Sequence, residues 1–343
     1  MKCIVPILSL MLAAGGVAAQ RQTAAPDSWT VPRTPDGHPD LQGIWTTQTF
    51  TPLQRPDRLA GREFLTEEEA AELTGLLTAP GVNPLATATL AGGSEAELRA
   101  RLRQADPTHY DNEVWLTTPR PKGLSSRRTS LIVDPPDGRI PPRVPEARER
   151  AAARSAALNY GVDSYENRHF QERCLAWIHE GPPMLPAPYN DRYQIFQAPG
   201  YVVILIEMSN NAVRLIPTDG RPHLPDTIRQ WPGDSRGRWE GDTLVVDTTN
   251  FTDKTGFHGS SDTLYVVERF TRVDADTILY EFTVTDPTTW STPWSVEIPM
   301  MKTDGPLYEY SCHEGNYGIV NTLSGARALE RHAAEAAAKP GSR

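Results

Sequence analysis

The sequence is short of cysteine, of long apolar runs and of positive charge, and each shortage narrows the field. Of 343 residues only three are cysteine, and no Cys-x-x-Cys pair occurs. Lysine and arginine number 34 against 43 acids, a formal net charge of −9. That balance argues against DNA or RNA as a partner, because nucleic-acid binding needs a basic footprint to displace counterions. Several catalytic signatures are also missing. There is no Gly-x-Ser-x-Gly elbow, no phosphate-binding Gly-x-x-x-x-Gly-Lys-Ser/Thr loop and no Gly-x-Gly-x-x-Gly. The positions four residues after His179 and His313 hold Pro183 and Tyr317, so neither His-Glu-Gly string is a zincin helix. α/β-Hydrolase, nucleotide-dependent, dinucleotide-dependent and zincin mechanisms therefore have no motif support.

Proline, by contrast, is abundant. Its 31 residues are roughly twice the ordinary ~5 % share, and each one removes an N–H and opposes helix or central strand. Long helical bundles and all-parallel sheets are disfavoured.

The chain opens with Lys2, an apolar run from Ile4 to Leu12, and Val17-Ala18-Ala19 before Gln20. This is the layout of a secretory signal with a small-residue cleavage site. The run is shorter than the 18 or so residues of a membrane span. The expectation is cleavage after residue 19 and a periplasmic or secreted mature protein without a stable transmembrane segment. Removal of Cys3 leaves Cys174 and Cys312, which in an oxidising compartment have one intramolecular pairing, and a disulfide between them is expected; two buried free thiols are the alternative.

Residues 20–40 are polar, proline-rich and aperiodic, and read as an extended arm. Residues 41–192 read as a helical and loop-rich wrapping segment. In it, Thr66-Glu67-Glu68-Glu69 is a capping box opening a helix to about Leu77. Ser94-Glu95-Ala96-Glu97 opens a second, and Pro145 starts a third that runs to about Leu158. Short strands are expected at Leu41–Thr46 and Thr129–Val133. From 193 to 327 the texture changes to short runs rich in Val, Ile, Tyr, Phe and Thr, bounded by Gly, Asn or Asp, ending with a run at Leu307–Cys312. Hairpin-length connectors make successive runs antiparallel neighbours. The expected fold is mainly β: an antiparallel meander closing into a barrel, with a few N-terminal helices wrapping it and a C-terminal tail at 328–343. Closure removes exposed edges; a β-sandwich is the alternative.

Alternation sorts polar residues by face. Glu268 and Arg272 share one face of their run, Arg269 the other with Tyr265 and Val267. Asp247 lies with Val245 and Phe251, and Tyr280 with Ile278 and Phe282. Mid-strand acids recur at Glu207, Asp247, Glu268, Glu281, Glu297 and Glu309. They fit either a solvated outer face or a polar lumen in which acids and Arg269 orient a small ligand. Histidine is the natural proton carrier near neutral pH. His258 sits on a glycine-flanked loop, whereas His313 follows Cys312, with Glu314 adjacent and Tyr310 nearby. His38, His223 and His332 are discounted as lying in probable termini or in a proline-rich loop. The expected site uses His313 as acid/base, Glu314 as its partner and His258 as a second proton carrier. Arg269, Tyr310, Asp247, Tyr280 and Trp294 would hold substrate. No cofactor is required. A divalent metal on His179, His258 and His313 is the alternative, and it needs three segments to converge.

The strings Arg33-Thr34-Pro35-Asp36-Gly37-His38-Pro39-Asp40-Leu41-Gln42-Gly43-Ile44-Trp45, Arg238-Trp239-Glu240-Gly241-Asp242-Thr243-Leu244-Val245-Val246-Asp247-Thr248-Thr249-Asn250-Phe251 and Tyr308-Glu309-Tyr310-Ser311-Cys312-His313-Glu314-Gly315-Asn316-Tyr317 resemble those of a family of exported, largely uncharacterised bacterial proteins. The resemblance implies export and carries no secure reaction. In outline the meander is also similar to calycin barrels, including lipocalins, an analogy of fold that transfers no active residue. The functional expectations are a cofactor-independent lyase or hydrolase acting on a carbohydrate or aromatic compound, a noncatalytic lipocalin-like ligand carrier, and an envelope structural protein.

Overall fold

Runs in which β-branched and aromatic residues alternate with polar ones form ten strands: β1 (Gly43–Thr46), β2 (Ile132–Asp134), β3 (Arg192–Ala198), β4 (Tyr201–Ile206), β5 (Val213–Pro217), β6 (Asp234–Glu240), β7 (Thr243–Thr249), β8 (Tyr265–Arg272), β9 (Thr277–Thr285) and β10 (Trp294–Lys302). The structure is a computed structural model that describes residues 29–77, 124–158, 161–176, 180–187, 191–207, 209, 213–254 and 257–338. The signal-like segment, the helix expected at Ser94 and His179 lie outside these residues.

Nine strands follow the order β5-β4-β3-β1-β10-β9-β8-β7-β6, every neighbouring pair antiparallel, and β2 adds to β10. One continuous sheet curls into a nearly closed barrel, so the sandwich alternative does not apply. Two hairpin meanders, β3–β5 and β6–β10, are joined by β1. That strand comes from the segment read as wrapping, and its pairing with both β3 and β10 makes it a barrel stave.

An odd number of alternating strands leaves β5 and β6 pointing the same way. A hairpin cannot join them, and no backbone ladder does; side chains close the seam instead. A Cβ built at Gly237 on β6 would stand 2.9 Å from the methyl carbons of both Ile216 and Thr218, so only glycine allows the two strands to approach so closely. Arg214 of β5 reaches across to Ser235 of β6, Thr248 of β7 and Glu268 of β8.

Period-two alternation fills the interior. Ile278, Tyr280, Phe282 and Val284 of β9 and Trp294, Val296, Ile298 and Met300 of β10 are all fully buried, each apolar side chain stabilising the fold by about 1.5–3 kcal/mol. The described part of the N-terminal arm packs against the ends of β6 and β8 and the β6–β7 turn. His38 stacks on Trp239 at 4.8 Å, Arg33 pairs with Asp242 at 2.6 Å, and Arg272 Nη1 donates to the Asp40 carbonyl at 2.7 Å.

Among the described residues three α-helices lie outside the barrel: α1 (Glu67–Leu77), α2 (Pro145–Leu158) and α3 (Gly318–Ala338). The α1 capping box forms as its sequence dictates, Glu69 N donating to Thr66 Oγ1 and Thr66 N to a Glu69 carboxylate oxygen. Among the described residues no helix is long and apolar enough to cross a membrane.

Two C-terminal expectations need correction. Leu307–Cys312 is not a strand, because the second edge of β10 is already taken by β2 and β1. The tail at 328–343 belongs, as far as residue 338, to α3. Residues 303–316 instead form a strap that passes the start of β3 and the end of β4. There Arg192 Nη1 donates to the Pro306 carbonyl and Tyr308 N to Glu207 Oε1. The disulfide Cys174–Cys312 latches the strap, with Cα atoms 5.8 Å apart.

Candidate functional site

The sheet carries a buried ion pair, Arg214 with Glu268, into the barrel. Arg214 and Ile216 face inward while Val213 and Leu215, 59 % and 56 % exposed, face out. In β8 the same alternation turns Val266, Glu268 and Phe270 in. Arg214 and Glu268 therefore meet in the core as a two-pronged pair, Nη1 to Oε1 at 2.9 Å and Nη2 to Oε2. Tyr280 Oη donates to Glu268 Oε1 at 2.7 Å and accepts from Met184 N at 2.8 Å. Burial, then the Glu268 charge, holds the Tyr280 hydroxyl well above its ordinary value, so it stays protonated. Ser235 and Thr248 hydroxyls, 2.9 Å apart, complete the shell around the guanidinium.

Above this pair a cavity of about 220 Å³ opens at the seam, lined by Glu180, Ile206, Arg214, Gln230, Asp234 and Ser235 among others. At ~30 Å³ per water it has room for about seven waters or a ligand of that bulk. The β5–β6 connector forms one wall and is pinned twice. Asn250 Nδ2 donates to the carbonyls of Leu224, Pro225 and Ile228 at 3.0–3.1 Å. His223 stands between two carboxylates, Nδ1 at 2.9 Å from Asp234 and Nε2 at 2.6 Å from Asp247.

No family model, curated protein or solved structure matches the chain.

Of the residues expected to form the site, Tyr280 and Trp294 are inside the barrel. Asp247 and Arg269 are on its outer face, Asp247 between His223 and Arg238, Arg269 paired with Glu240 at 3.2 Å. The parity read from β8 holds, but its inward set contains Glu268, so Arg269 is not in the lumen. His313 and Glu314 are exposed in the turn after Cys312, and Tyr310 is half-buried. His258 is half-buried with a backbone φ of 46°, and burial, followed by the Arg143 charge, lowers its pKa. His313, His258 and Arg269 share no hydrogen bond, ion pair or ring contact, so the structure does not assemble them into one site. Among the described residues no three His, Cys, Asp or Glu side chains are placed to hold a metal; His179 is outside them.

Arg214, Ser235 and Thr248 were not singled out from the sequence, and His223, discounted there as part of a proline-rich loop, is held between Asp234 and Asp247 beside the site. The signal for Arg214 was present: a lone arginine in Val213-Arg214-Leu215-Ile216 shares a face with Ile216.

Glu207, at the end of β4, is the acid most perturbed by its surroundings. Burial pushes its carboxyl up to about 7, against the opposing pull of Arg192 at 3.6 Å. Its Oε2 is buried without a hydrogen-bond partner. A carboxyl raised in the folded state stabilises the fold fully below its unfolded value, here near 4.5, and that contribution is lost as pH rises through about 7. Glu207→Gln is expected to abolish this decline and to leave the variant about 3 kcal/mol more stable than wild type near pH 8. Denaturant titrations across the range would show it. An unchanged decline in the variant would assign the titration to another group.

Proposed function

We propose that the protein is an exported barrel that holds a small polar molecule in the seam cavity. The observation that carries this reading is a cavity of about 220 Å³ whose wall includes a guanidinium locked in place by a buried carboxylate. Glu268 neutralises and orients Arg214, so the site meets its ligand with fixed hydrogen-bond donors and no reorganisation. Nη1 makes one of its two available bonds, to Glu268, and keeps an N–H for a ligand acceptor. Gln230, Ser235 and Glu180 supply further polar contacts, and Ile206 an apolar one. This is the composition of small-molecule sites, which pair apolar walls with a few placed polar groups, and barrel mouths are a common location for them. Export is supported by the signal-like N-terminus and by the Cys174–Cys312 disulfide, a bond of oxidising compartments.

Acid–base turnover, the lyase or hydrolase reading, has one observation in its favour. Glu207 has a pKa near neutrality and follows Ile206 of the cavity wall. On this reading the proton carrier is Glu207, and His313 has no part.

The test is a screen of small sugars, hydroxy acids and aromatic alcohols by native mass spectrometry and for turnover. It is run on wild type and on Gln230→Trp. Gln230 makes its hydrogen bonds through its backbone alone, so a tryptophan there fills the cavity without removing a contact. Expected is a retained compound that the variant loses at unchanged melting temperature. A compound that both retain, or none retained by wild type, would sink the reading.

A further inference from the structure

Away from the seam, where β7 leads to β8 and β9 to β10, three buried polar atoms have no partner in the chain. Trp290, Trp294 and Ser260 are 2 %, 0 % and 0 % exposed, and neither indole Nε1 nor the Ser260 hydroxyl makes a hydrogen bond. Buried polar groups are nearly always satisfied, and an indole N–H can only donate. Three such groups in one place mark a demand for an acceptor that the chain does not supply.

They belong to one cluster. The Trp290 and Trp294 rings lie 5.6 Å apart edge to face, Phe257 stacks on Trp294 at 5.8 Å, and His258 meets Trp294 edge-on at 6.2 Å. Ser260 N donates to the Phe257 carbonyl at 2.8 Å, and Asp286 accepts from both Ser261 N and, through its carbonyl, Trp290 N. Arg143 forms a β-bridge with Trp290 and donates through Nη2 to the His258 carbonyl at 2.6 Å, and it has no ion-pair partner among the described residues. A second cation, Arg150, donates to Thr288 and Thr289 next to Trp290. Asp286, beside the cluster, has its carboxylate taken up by Ser261, Thr263, Thr288 and Thr289.

We propose that Trp290, Trp294, Ser260 and Arg143 form a second binding site, separate from the seam cavity, that takes a small carboxylate. A carboxylate only accepts hydrogen bonds, which suits a site made of donors, and its plane matches the guanidinium fork. An alcohol or amine would bring further donors to a place already rich in them.

Benzoate, acetate, benzyl alcohol and inorganic phosphate, titrated separately against the full chain, test the proposal, with tryptophan fluorescence and melting temperature as readouts. Benzoate is expected to bind saturably and to raise the melting temperature, benzyl alcohol to do neither. Arg143→Gln, a half-buried position, is expected to weaken benzoate by at least about tenfold, the loss of one charge-assisted contact. Ser260→Ala, which removes one donor from the interior, is expected to weaken it while leaving the ligand-free melting temperature unchanged or raised. The proposal is overturned if benzyl alcohol or phosphate binds as tightly as benzoate, or if benzoate is unaffected by Arg143→Gln. Loss of benzoate binding in Gln230→Trp but not in Arg143→Gln would place it in the seam cavity and overturn the second site. Absence of any carboxylate binding would assign the three donors to buried water.

Discussion

Replacing Arg214 with methionine is expected to destabilise the protein by about 3–5 kcal/mol, because the Glu268 carboxylate is then left in the barrel core without its countercharge. Both side chains are at most 5 % exposed, so water cannot take over the role of the guanidinium. Tyr280 would remain as a single hydroxyl donor to Glu268, too little to offset the charge. The double change Arg214→Met with Glu268→Leu is expected to recover most of the loss, since a well-packed apolar pair can replace a buried ion pair at little cost. Urea unfolding of the two single variants and the double variant forms a thermodynamic cycle that measures the coupling. A loss in the double variant equal to the sum of the two single losses would mean that the pair contributes packing and no electrostatic coupling. The double variant should also lose the seam ligand while remaining folded. That combination separates the binding role of Arg214 from its structural one.

Cys312→Ser is expected to be as costly. The two cysteines are 138 residues apart in sequence, and closing a loop of that length stabilises by about 5 kcal/mol when treated as lost entropy of the unfolded chain. Removing the bond also loosens the strap, which hydrogen bonds from Arg192 to Pro306 and from Tyr308 to Glu207 help tie to the barrel. Amide exchange at 303–316 should therefore rise more than exchange in β8–β10. A reducing agent should lower the stability of wild type and leave the variant unchanged. If the variant matched wild type under oxidising conditions, the cross-link would have no stabilising effect.

Much of this architecture was legible from local pattern. With Cys3 set aside, two cysteines admit one pair, and that pair is bonded. β9 was read with the boundaries it has, and α1 and α2 to within a residue, because a capping box, an N-terminal proline and strict alternation are signals contained in the segment itself. The last expected strand failed for the opposite reason. Leu307–Cys312 has strand-like residues, but a strand forms only along a free edge, and β10, the strand that leads into it, has its second edge covered by β2 and β1.

The site was less legible. Alternation divides Tyr265–Arg272 into Glu268 with Val266 and Phe270, and Arg269 with Tyr265 and Val267, and the two sets are nearly equal in apolar character. The sequence therefore determined which residues share a face, where the turns fall, which cysteines pair and that the fold is an antiparallel β barrel. Which face became the interior was decided by closure of the nine-strand sheet. Closure also set two parallel-running strands side by side at the seam, brought Arg214 to Glu268 from 54 residues away, and left His313 on an outer strap. These are relations between distant segments, and the energy of a buried charge pair or an unmatched indole N–H depends on neighbours that only the folded chain supplies.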